Sequence, residues 1–470
     1  MASNAIHFGT SGWRGIMAED FTFAGVRRAA AAIADHCKTL NASPKLVVGY
    51  DTRFFSEDFA RSAAGVLRAR GCSVLLCDAP APTPAIAYEL VRRKFDGAVN
   101  ITASHNPAEY NGLKFSGANG GPALPEITHD IEARAAKYAA DEFSAPDDAP
   151  ASEFDKIDIR GPYLARLAEL VRFKTLASAK GAYVCDAVHG CGAGWLDRIL
   201  VDHGISVTAI RGSRDVLFEG HGPDPSDENL APLRKAVSEK KAVAGLATDG
   251  DADRYGIVDR DGAFISPNHI LAMLFDYLIE TRGWKLGASR SVATSHFVDA
   301  VAKLHGVPLY ETPVGFKYVG EFLQKDEIVI GGEESAGLTI RGHVPEKDGI
   351  LACLLVAEMI AARGASIAEQ RSNLFRRVGR EYWPIRVNLH LEADVQRRLM
   401  EKLKSEPKQL GGKRVTKIDR TDGLKVILDG GDWVLMRPSG TEPLVRIYSE
   451  STSDRAAQQL AEEARQWIHQ

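Results

Sequence analysis

The chain has 470 residues, 45% of them hydrophobic and 26% charged, with a formal net charge of −4. At roughly 100–200 residues per domain, that length implies about three or four domains of ordinary globular composition. The balance of charge leaves no basic footprint for nucleic acid, so an anionic ligand has to be captured by a local site. No run approaches about 18 uninterrupted apolar residues, so no membrane span is expected.

Met1 to Trp13 lacks a basic region followed by an apolar core, so no secretory leader is expected. Six cysteines lie scattered at positions 37, 72, 77, 185, 191 and 353, a usage that fits a reducing, cytoplasmic setting. Cys185, His189 and Cys191 sit close together, but no second pair completes a zinc set, and they read as structural.

In chain order, Val26, Ala29, Ala30, Ile33, Ala34 and Cys37 follow helical spacing. Leu46 to Gly49 reads as a short buried strand feeding the loop Gly49-Tyr50-Asp51-Thr52-Arg53. Strands are also expected at Val74–Cys77, Gly97–Ile101, Ala182–Cys185, Val243–Leu246, Ser291–Ala293 and Ile328–Ile330. Buried strands separated by helices argue for α/β layers, which hold ligands in loops at the carboxyl ends of strands. Three such loops stand out: Thr102 to Pro107, Asp249 to Arg254, and Gly331 to Gly337. They are expected to occupy equivalent positions in repeated α/β units.

Ser144 to Ser152, rich in proline, acid and alanine, reads as an exposed linker. Near Gly379 to Pro384 the pattern changes to alternation at Ile385, Val387 and Leu389. Leu424–Leu428 and Val434–Met436 flank the hairpin turn Asp429-Gly430-Gly431-Asp432. A last helix beginning near Ser453 is expected to bury Ala457, Leu460, Ala464 and Trp467. The end of the chain reads as a separate α+β domain.

The loop 102–107 exposes the Ser104 hydroxyl among small residues beside His105 and before Pro107. It suits either a serine that carries a covalent group or a turn closed by a hydroxyl. A Ser-His dyad fits poorly, because adjacent residues rarely aim at each other. Asp249, Asp251 and Asp253 alternate with small residues, so their carboxylates fall on one side and need a cation or open water. Hard oxygen ligands suit magnesium or calcium. An EF-hand is excluded, because Arg254 stands where glycine is needed and Arg260 where glutamate is needed. Arg437-Pro438-Ser439-Gly440-Thr441-Glu442-Pro443, with Arg446, offers backbone N–H groups, hydroxyls and guanidinium groups for a phosphate, or an ordinary charged hairpin. Gly190 to Trp195 misses the dinucleotide fingerprint and reads as a tight strand-to-helix turn, and no Walker loop is present. Glu333 and Ser335 suit hydrogen bonding to adjacent sugar hydroxyls or a flexible turn.

Taken together, the serine, metal, polyol and phosphate loops, in that order, resemble the α-D-phosphohexomutase family over nearly the whole chain. The likeness includes Phe8 to Gly15, Tyr110-Asn111-Gly112-Leu113-Lys114 and Val314-Gly315-Phe316-Lys317. It implies an α/β fold of four domains around a central cleft: three related α/β/α sandwich domains with mixed sheets (1–152, 153–260 and 261–378) and a C-terminal α+β domain (379–470). It further implies that Ser104 carries the transferable phosphoryl group and that Asp249, Asp251 and Asp253, with a phosphoserine oxygen, bind Mg²⁺. Glu333 and Ser335 would grip the sugar 3- and 4-hydroxyls. Arg437, Ser439, Gly440, Thr441 and Arg446 would hold the phosphate that is not transferred. Arg14, Lys114, Arg254 and Lys317 would line the reacting end, with Lys114 as acid/base group.

The implied activity interconverts glucose 1-phosphate and glucose 6-phosphate, with glucose 1,6-bisphosphate as intermediate and activator. The implied partner is a small phosphosugar, and the chain is expected to be a monomer or homodimer. Glu334 and Leu338 differ from the residues of glucosamine-type and dual mannose/glucose enzymes and favour glucose. Phosphomannomutase or dual activity stands second, followed by a phosphoglucosamine mutase or a non-catalytic phosphosugar-binding protein. His343 or Lys347 is expected to replace the family histidine near Leu338.

Overall fold

The computed structural model describes residues 6–139, 154–390, 393–438 and 444–469. The proposed linker Ser144 to Ser152 lies outside them. The chain forms two compact units: Met1–Pro267 with Leu323–Lys325 and Ser335–Ile367, and Asn268–Phe322 with Asp326–Glu334 and Ala368–Gln470.

In the first unit, strands β1 (Trp13–Ile16), β2 (Lys45–Tyr50), β3 (Ser73–Cys77), β4 (Gly97–Ile101), β5 (Tyr110–Gly117) and β6 (Asp155–Ile157) form a sheet of order β1-β5-β4-β2-β3-β6. Helix α1 (Phe23–Leu40) begins where the Thr22 hydroxyl accepts the Gly25 N–H at 3.1 Å. It buries the expected Val26, Ala29, Ala30, Ile33, Ala34 and Cys37. Helices α2 (Ser56–Ala69) and α3 (Thr83–Arg93) complete the layers. A second sheet, of order β11-β10-β9-β7-β8, uses β7 (Ala182–Asp186), β8 (Ser206–Ile210), β9 (Ala244–Thr248), β10 (Tyr255–Asp259) and β11 (Phe264–Ile265). The helix Gly349–Arg363 starts at Asp348, whose carboxylate accepts the Leu351 N–H, and packs on β9 and β10.

In the second unit, β12 (Gly287–Ser291) runs parallel to both β13 (Leu309–Thr312) and β14 (Ile328–Glu333). The three pairings repeat one scheme: β2 lies between β3 and β4, β7 between β8 and β9, and β12 between β13 and β14, all parallel. A further strand follows each third strand after a short connection: β5, β10 and β15 (Gly337–Ile340). The expected repeat is therefore present in the strand order. The connections after β4 and β9 enter antiparallel strands, which makes the sheets mixed.

Two expected boundaries change. Gly331 to Glu333 belongs to β14 and Gly337 opens β15, so the loop shrinks to Glu334–Ala336. The strand read at Ser291–Ala293 ends at Ser291, because Val292 and Ala293 pack instead with Trp433, Leu435 and Tyr448.

The C-terminal sheet is built from β16 (Trp383–His390), β17 (Gln409–Leu410), β18 (Lys413–Asp419), β19 (Leu424–Leu428), β20 (Trp433–Pro438) and β21 (Leu444–Ser451), in the order β16-β21-β20-β19-β18-β17. The helix Asp454–His469 covers it, burying Ala457, Leu460 and Ala464 as expected, whereas Trp467 is only half-buried at the edge of that core. Ile385 and Leu389 face the same core, while Val387 is exposed.

Candidate active site

Two of the short connections meet in the first unit. The serine loop leaves β4, where the Thr102 hydroxyl accepts the Ser104 N–H at 2.8 Å. The hydroxyl turn anticipated for Ser104 is thus closed by Thr102, which leaves the Ser104 hydroxyl available. Ser104 takes a left-handed backbone (φ 52°) that only a strongly held loop keeps in a non-glycine residue. Its Oγ donates to Asp249 Oδ2 at 2.7 Å. Gly250 permits this approach, since a Cβ there would lie 2.6 Å from the Ser104 carbonyl oxygen.

The acidic loop turns between β9 and β10 through Ala252 (φ 56°). It gathers Asp249, Asp251 and Asp253, all buried, with a carboxylate oxygen of each within 4.8 Å of the others. Asp249 Oδ1 accepts the Arg254 N–H at 3.0 Å. Asp251 Oδ2 accepts from Thr83 Oγ1 at 2.6 Å and Lys114 Nζ at 2.5 Å. Asp253 Oδ2 accepts from Lys114 Nζ at 2.8 Å and Lys347 Nζ at 2.6 Å. Asp251 Oδ1 and Asp253 Oδ1 are buried without a hydrogen-bond partner. Orphaned carboxylate oxygens beside a serine oxygen form an all-oxygen donor set that fits a hard divalent cation.

Burial, then the charges of Asp251 and Asp253, hold the Asp249 carboxyl well above the usual range. Burial also opposes ionisation of Asp253, but Lys114, Lys347 and Arg254 outweigh it and hold that carboxyl well below the usual range. Burial and Asp253 act against Asp251 as well, and Lys114 and Thr83 bring it below its ordinary value.

Cations surround the triad. Pairing of β1 with β5 sets Arg14 opposite Gly112, and its Nη1 donates to Asn106 Oδ1. Burial and Arg254 lower the Arg14 guanidinium to about 10. Burial lowers Lys114, but Asp251 and Asp253 prevail and raise it, so the ammonium stays charged. Arg254 Nε lies 4.0 Å from Asp253 Oδ1. His105 Nδ1 is 3.5 Å from Ser104 Oγ, and burial with Arg254 and Arg14 holds the imidazole well below its ordinary value. The two adjacent side chains do approach, but the Ser104 hydroxyl is directed at Asp249 at 2.7 Å, and an imidazole lowered this far is a poor base.

Thr83 and Lys347 are site residues beyond the serine and acidic motifs. Between the two replacements anticipated for the family histidine, Lys347 reaches Asp253, whereas His343 bonds Asp348 Oδ2 at 2.8 Å beside Tyr163. Leu338 is fully buried core. Arg53, read only as part of a loop, is wholly buried against the serine loop.

The remaining residues fall as follows. Ser335 belongs to the first unit and is half-buried. In the second unit, Glu333 ends β14 and its Oε1 accepts the Gly315 N–H at 2.7 Å. Lys317 is the second residue of the helix Phe316–Gln324, with its Nζ 5.4 Å from the Tyr318 ring centre. Arg437 and Arg446 face each other across β20 and β21. Asp422 ties Arg437 (2.9 Å) to the Val314 N–H (3.1 Å). Ser439, Gly440 and Thr441 lie outside the described residues. Cys185 and Cys191 are buried thiols pushed well above their ordinary range by that burial.

Family models match along the chain: phosphoglucomutase/phosphomannomutase α/β/α domain I over residues 5–142, domain II over 161–262, domain III over 266–378, and the C-terminal domain over 395–466. The chain belongs to the phosphoglucomutase/phosphomannomutase family. A Thermococcus kodakarensis phosphoglucomutase/phosphomannomutase is 32% identical over 97% of this chain and 96% of its own. A Methanothermobacter thermautotrophicus relative, provisionally named a phosphoglucosamine mutase, is 32% identical over 98% and 97%. A solved structure from Thermus thermophilus, with a provisional phosphomannomutase name, is 34% identical, covers 99% of both chains and superposes with a TM-score of 0.87. The phosphoglucomutase/phosphomannomutase fold of three α/β/α domains and a C-terminal domain is thus established, and with it the class of enzyme, an isomerase acting by intramolecular phosphoryl transfer.

Proposed function

We propose that this enzyme interconverts glucose 1-phosphate and glucose 6-phosphate through phosphoserine at Ser104 and a glucose 1,6-bisphosphate intermediate. The observation that carries this reading is the buried Ser104 hydroxyl, 2.7 Å from Oδ2 of Asp249, one member of the acidic triad. Asp249, Asp251 and Asp253 would hold Mg²⁺ together with a Ser104 phosphoryl oxygen. Bound there, the ion supplies charge neutralisation on the phosphoryl oxygens.

In the forward half-reaction, the P–Oγ bond of phosphoserine breaks and a P–O bond forms to the free sugar hydroxyl. The hydroxyl proton ends, in net, on the departing Ser104 Oγ, while the Lys114 ammonium, kept charged by Asp251 and Asp253, donates to the oxygens of the group in transit. In the return half-reaction, the P–O bond at the other end of the reoriented bisphosphate breaks as Ser104 Oγ bonds to phosphorus. The Ser104 hydroxyl proton, held toward Asp249 at rest, ends in net on the leaving sugar oxygen, with the Lys114 ammonium donating to that oxygen as general acid. Arg14, Arg254 and Lys347 stabilise the charge of the group in transit. Lys317, Glu333 and Ser335 would orient the sugar. Arg437, Arg446 and the segment Ser439-Gly440-Thr441 would hold the stationary phosphate.

Glucose as the sugar rests on Glu334 and Leu338. Glu334 Oε2 accepts from Ser291 Oγ at 2.8 Å and Thr294 Oγ1 at 3.1 Å, which fixes this side chain next to Glu333 and Ser335. Six buried free thiols support a reducing cytoplasm. The test is product formation from the 1-phosphates of glucose, mannose and glucosamine, with Mg²⁺ and a trace of glucose 1,6-bisphosphate. Preferential formation of glucose 6-phosphate is expected. Preference for either other sugar overturns the specificity, and isomerisation of none overturns the mutase reading.

A further inference from the structure

Arg53 has no exposed surface, and its guanidinium is spent almost entirely on the backbone of the serine loop. Nη2 donates to the carbonyl oxygens of Ser104 (2.7 Å) and Asn106 (2.5 Å), and Nη1 to those of Pro107 (2.7 Å) and Tyr110 (3.0 Å). One planar cation thus gathers four carbonyls from Ser104 to Tyr110 and ties them together.

The cation is itself aimed. Asp51 Oδ2 lies 3.2 Å from Arg53 Nε, and Asp51 Oδ1 accepts from the Arg53 N–H (3.0 Å) and Ser56 Oγ (2.6 Å). Asn111, at the far end of the loop, donates to Ser56 Oγ at 3.0 Å. Arg214 clamps the neighbouring carbonyls of Thr52 (2.9 Å) and Arg53 (3.1 Å). The four guanidinium bonds converge on the segment 104–110, whose one left-handed, non-glycine residue is Ser104.

Resting on the phosphoserine reading above, we infer that Arg53 is a positioning residue for phosphoryl transfer: it locks Ser104 in its left-handed conformation and so aims Oγ at Asp249. Its guanidinium hydrogen bonds go to backbone carbonyls of the loop, and Asp51 is its ion pair; none of these contacts is to Ser104 Oγ or a triad carboxylate. Its loss should therefore slow transfer at Ser104 without altering how the substrate or a divalent ion binds. A lysine keeps the charge but replaces a four-carbonyl fork with a point donor, and a misplacement on the order of 1 Å costs about 100-fold in rate.

The experiment is a single-turnover measurement of Ser104 phosphorylation by glucose 1,6-bisphosphate in the native chain and in Arg53→Lys. Steady-state KM for glucose 1-phosphate and Mn²⁺ binding, read by electron paramagnetic resonance, are followed alongside. The expected result is a transfer rate and kcat lower by about 100-fold, with KM and Mn²⁺ affinity unchanged. A folded Arg53→Lys that is phosphorylated at the native rate overturns the inference, and so does one in which KM or Mn²⁺ affinity moves as much as kcat.

If Arg53→Lys does not fold, Asp51→Asn decides. Its isosteric amide keeps an acceptor for Ser56 but gives up the ion pair that aims Arg53. A loss of about tenfold in transfer supports the inference, and native transfer contradicts it. Failure of the native chain itself to take a phosphoryl group at Ser104 would instead remove the phosphoserine reading.

Discussion

Lys114 Nζ bridges Asp251 and Asp253, at 2.5 and 2.8 Å from one oxygen of each, while the other oxygen of both carboxylates remains buried without a hydrogen bond. The ammonium neutralises the back of the triad and leaves its front to a cation.

Divalent metal should therefore bind this fold and stabilise it. At a free Mg²⁺ concentration about 100 times its dissociation constant, the gain is about 2.7 kcal/mol. Thermal unfolding with and without EDTA is expected to show an upward shift with Mg²⁺ in the native chain and almost none in Asp253→Asn. An equal shift in the variant would contradict the assignment of the triad.

Replacing Lys114 with Met should lower kcat by about 10²–10⁴-fold, the range for loss of a general acid/base group. The pH behaviour follows from the sign of its shift. The folded ammonium is raised above its ordinary value, so its stabilising contribution is complete below the unfolded value of about 10.4 and is lost only above it. The difference in melting temperature between native and Lys114→Met chains should accordingly stay flat from about pH 6 to 9. A kcat within a few-fold of native, or a difference that slopes across that range, would contradict the role given to this lysine.

Lys425 behaves in the opposite sense. Burial and Arg290 lower its ammonium to about 8, although it donates to the Val292 carbonyl at 2.7 Å and lies 4.3 Å from the Trp433 ring centre. Because the folded value lies below the unfolded one, the charged form destabilises the fold fully below about pH 8, and the penalty is relieved as pH rises toward about 10.4. The penalty amounts to about 3 kcal/mol. Stability of the native chain relative to Lys425→Met, measured by urea unfolding, should therefore rise between about pH 7 and 10. A flat or falling difference would refute it.

Glu450 is a buried carboxylate held by three donors: Ser295 Oγ, the His296 N–H at 3.1 Å and Trp433 Nε1 at 2.8 Å. Ser295→Ala and Trp433→Phe each leave that charge short of a donor and should each cost about 1–3 kcal/mol. Urea unfolding checks both, and an unchanged midpoint in either would contradict the network.

Much of the fold was legible because its strands are short apolar runs buried on both faces, as in Val47-Val48 of β2 and Ile328-Val329-Ile330 of β14. The strand β12 was misplaced for the converse reason. Its Ser289, Arg290 and Ser291 are polar and buried, and Arg290 is paired with Asp299 and Glu311 by the tertiary fold rather than by any local pattern. The site divides in the same way. Ser104 and the triad announce themselves by local spacing, and Lys114 by its place in a motif. Thr83 and Arg53 reach the site across more than fifty positions of sequence, through pairings that only the folded backbone creates. Lys347 is legible only as one of two stand-ins for the family histidine, and its 2.6 Å bond to Asp253 is what separates it from His343.

The most direct measurement is the mass of the Ser104 peptide after the dephosphorylated chain is incubated with Mg²⁺ and glucose 1,6-bisphosphate, in parallel with glucose 6-phosphate formation from glucose 1-phosphate. The predicted result is one added phosphoryl group at Ser104 that appears with mutase activity, with both absent in a folded Ser104→Ala variant. Mutase activity retained by that variant, or an unmodified Ser104 in an active native enzyme, would contradict the account.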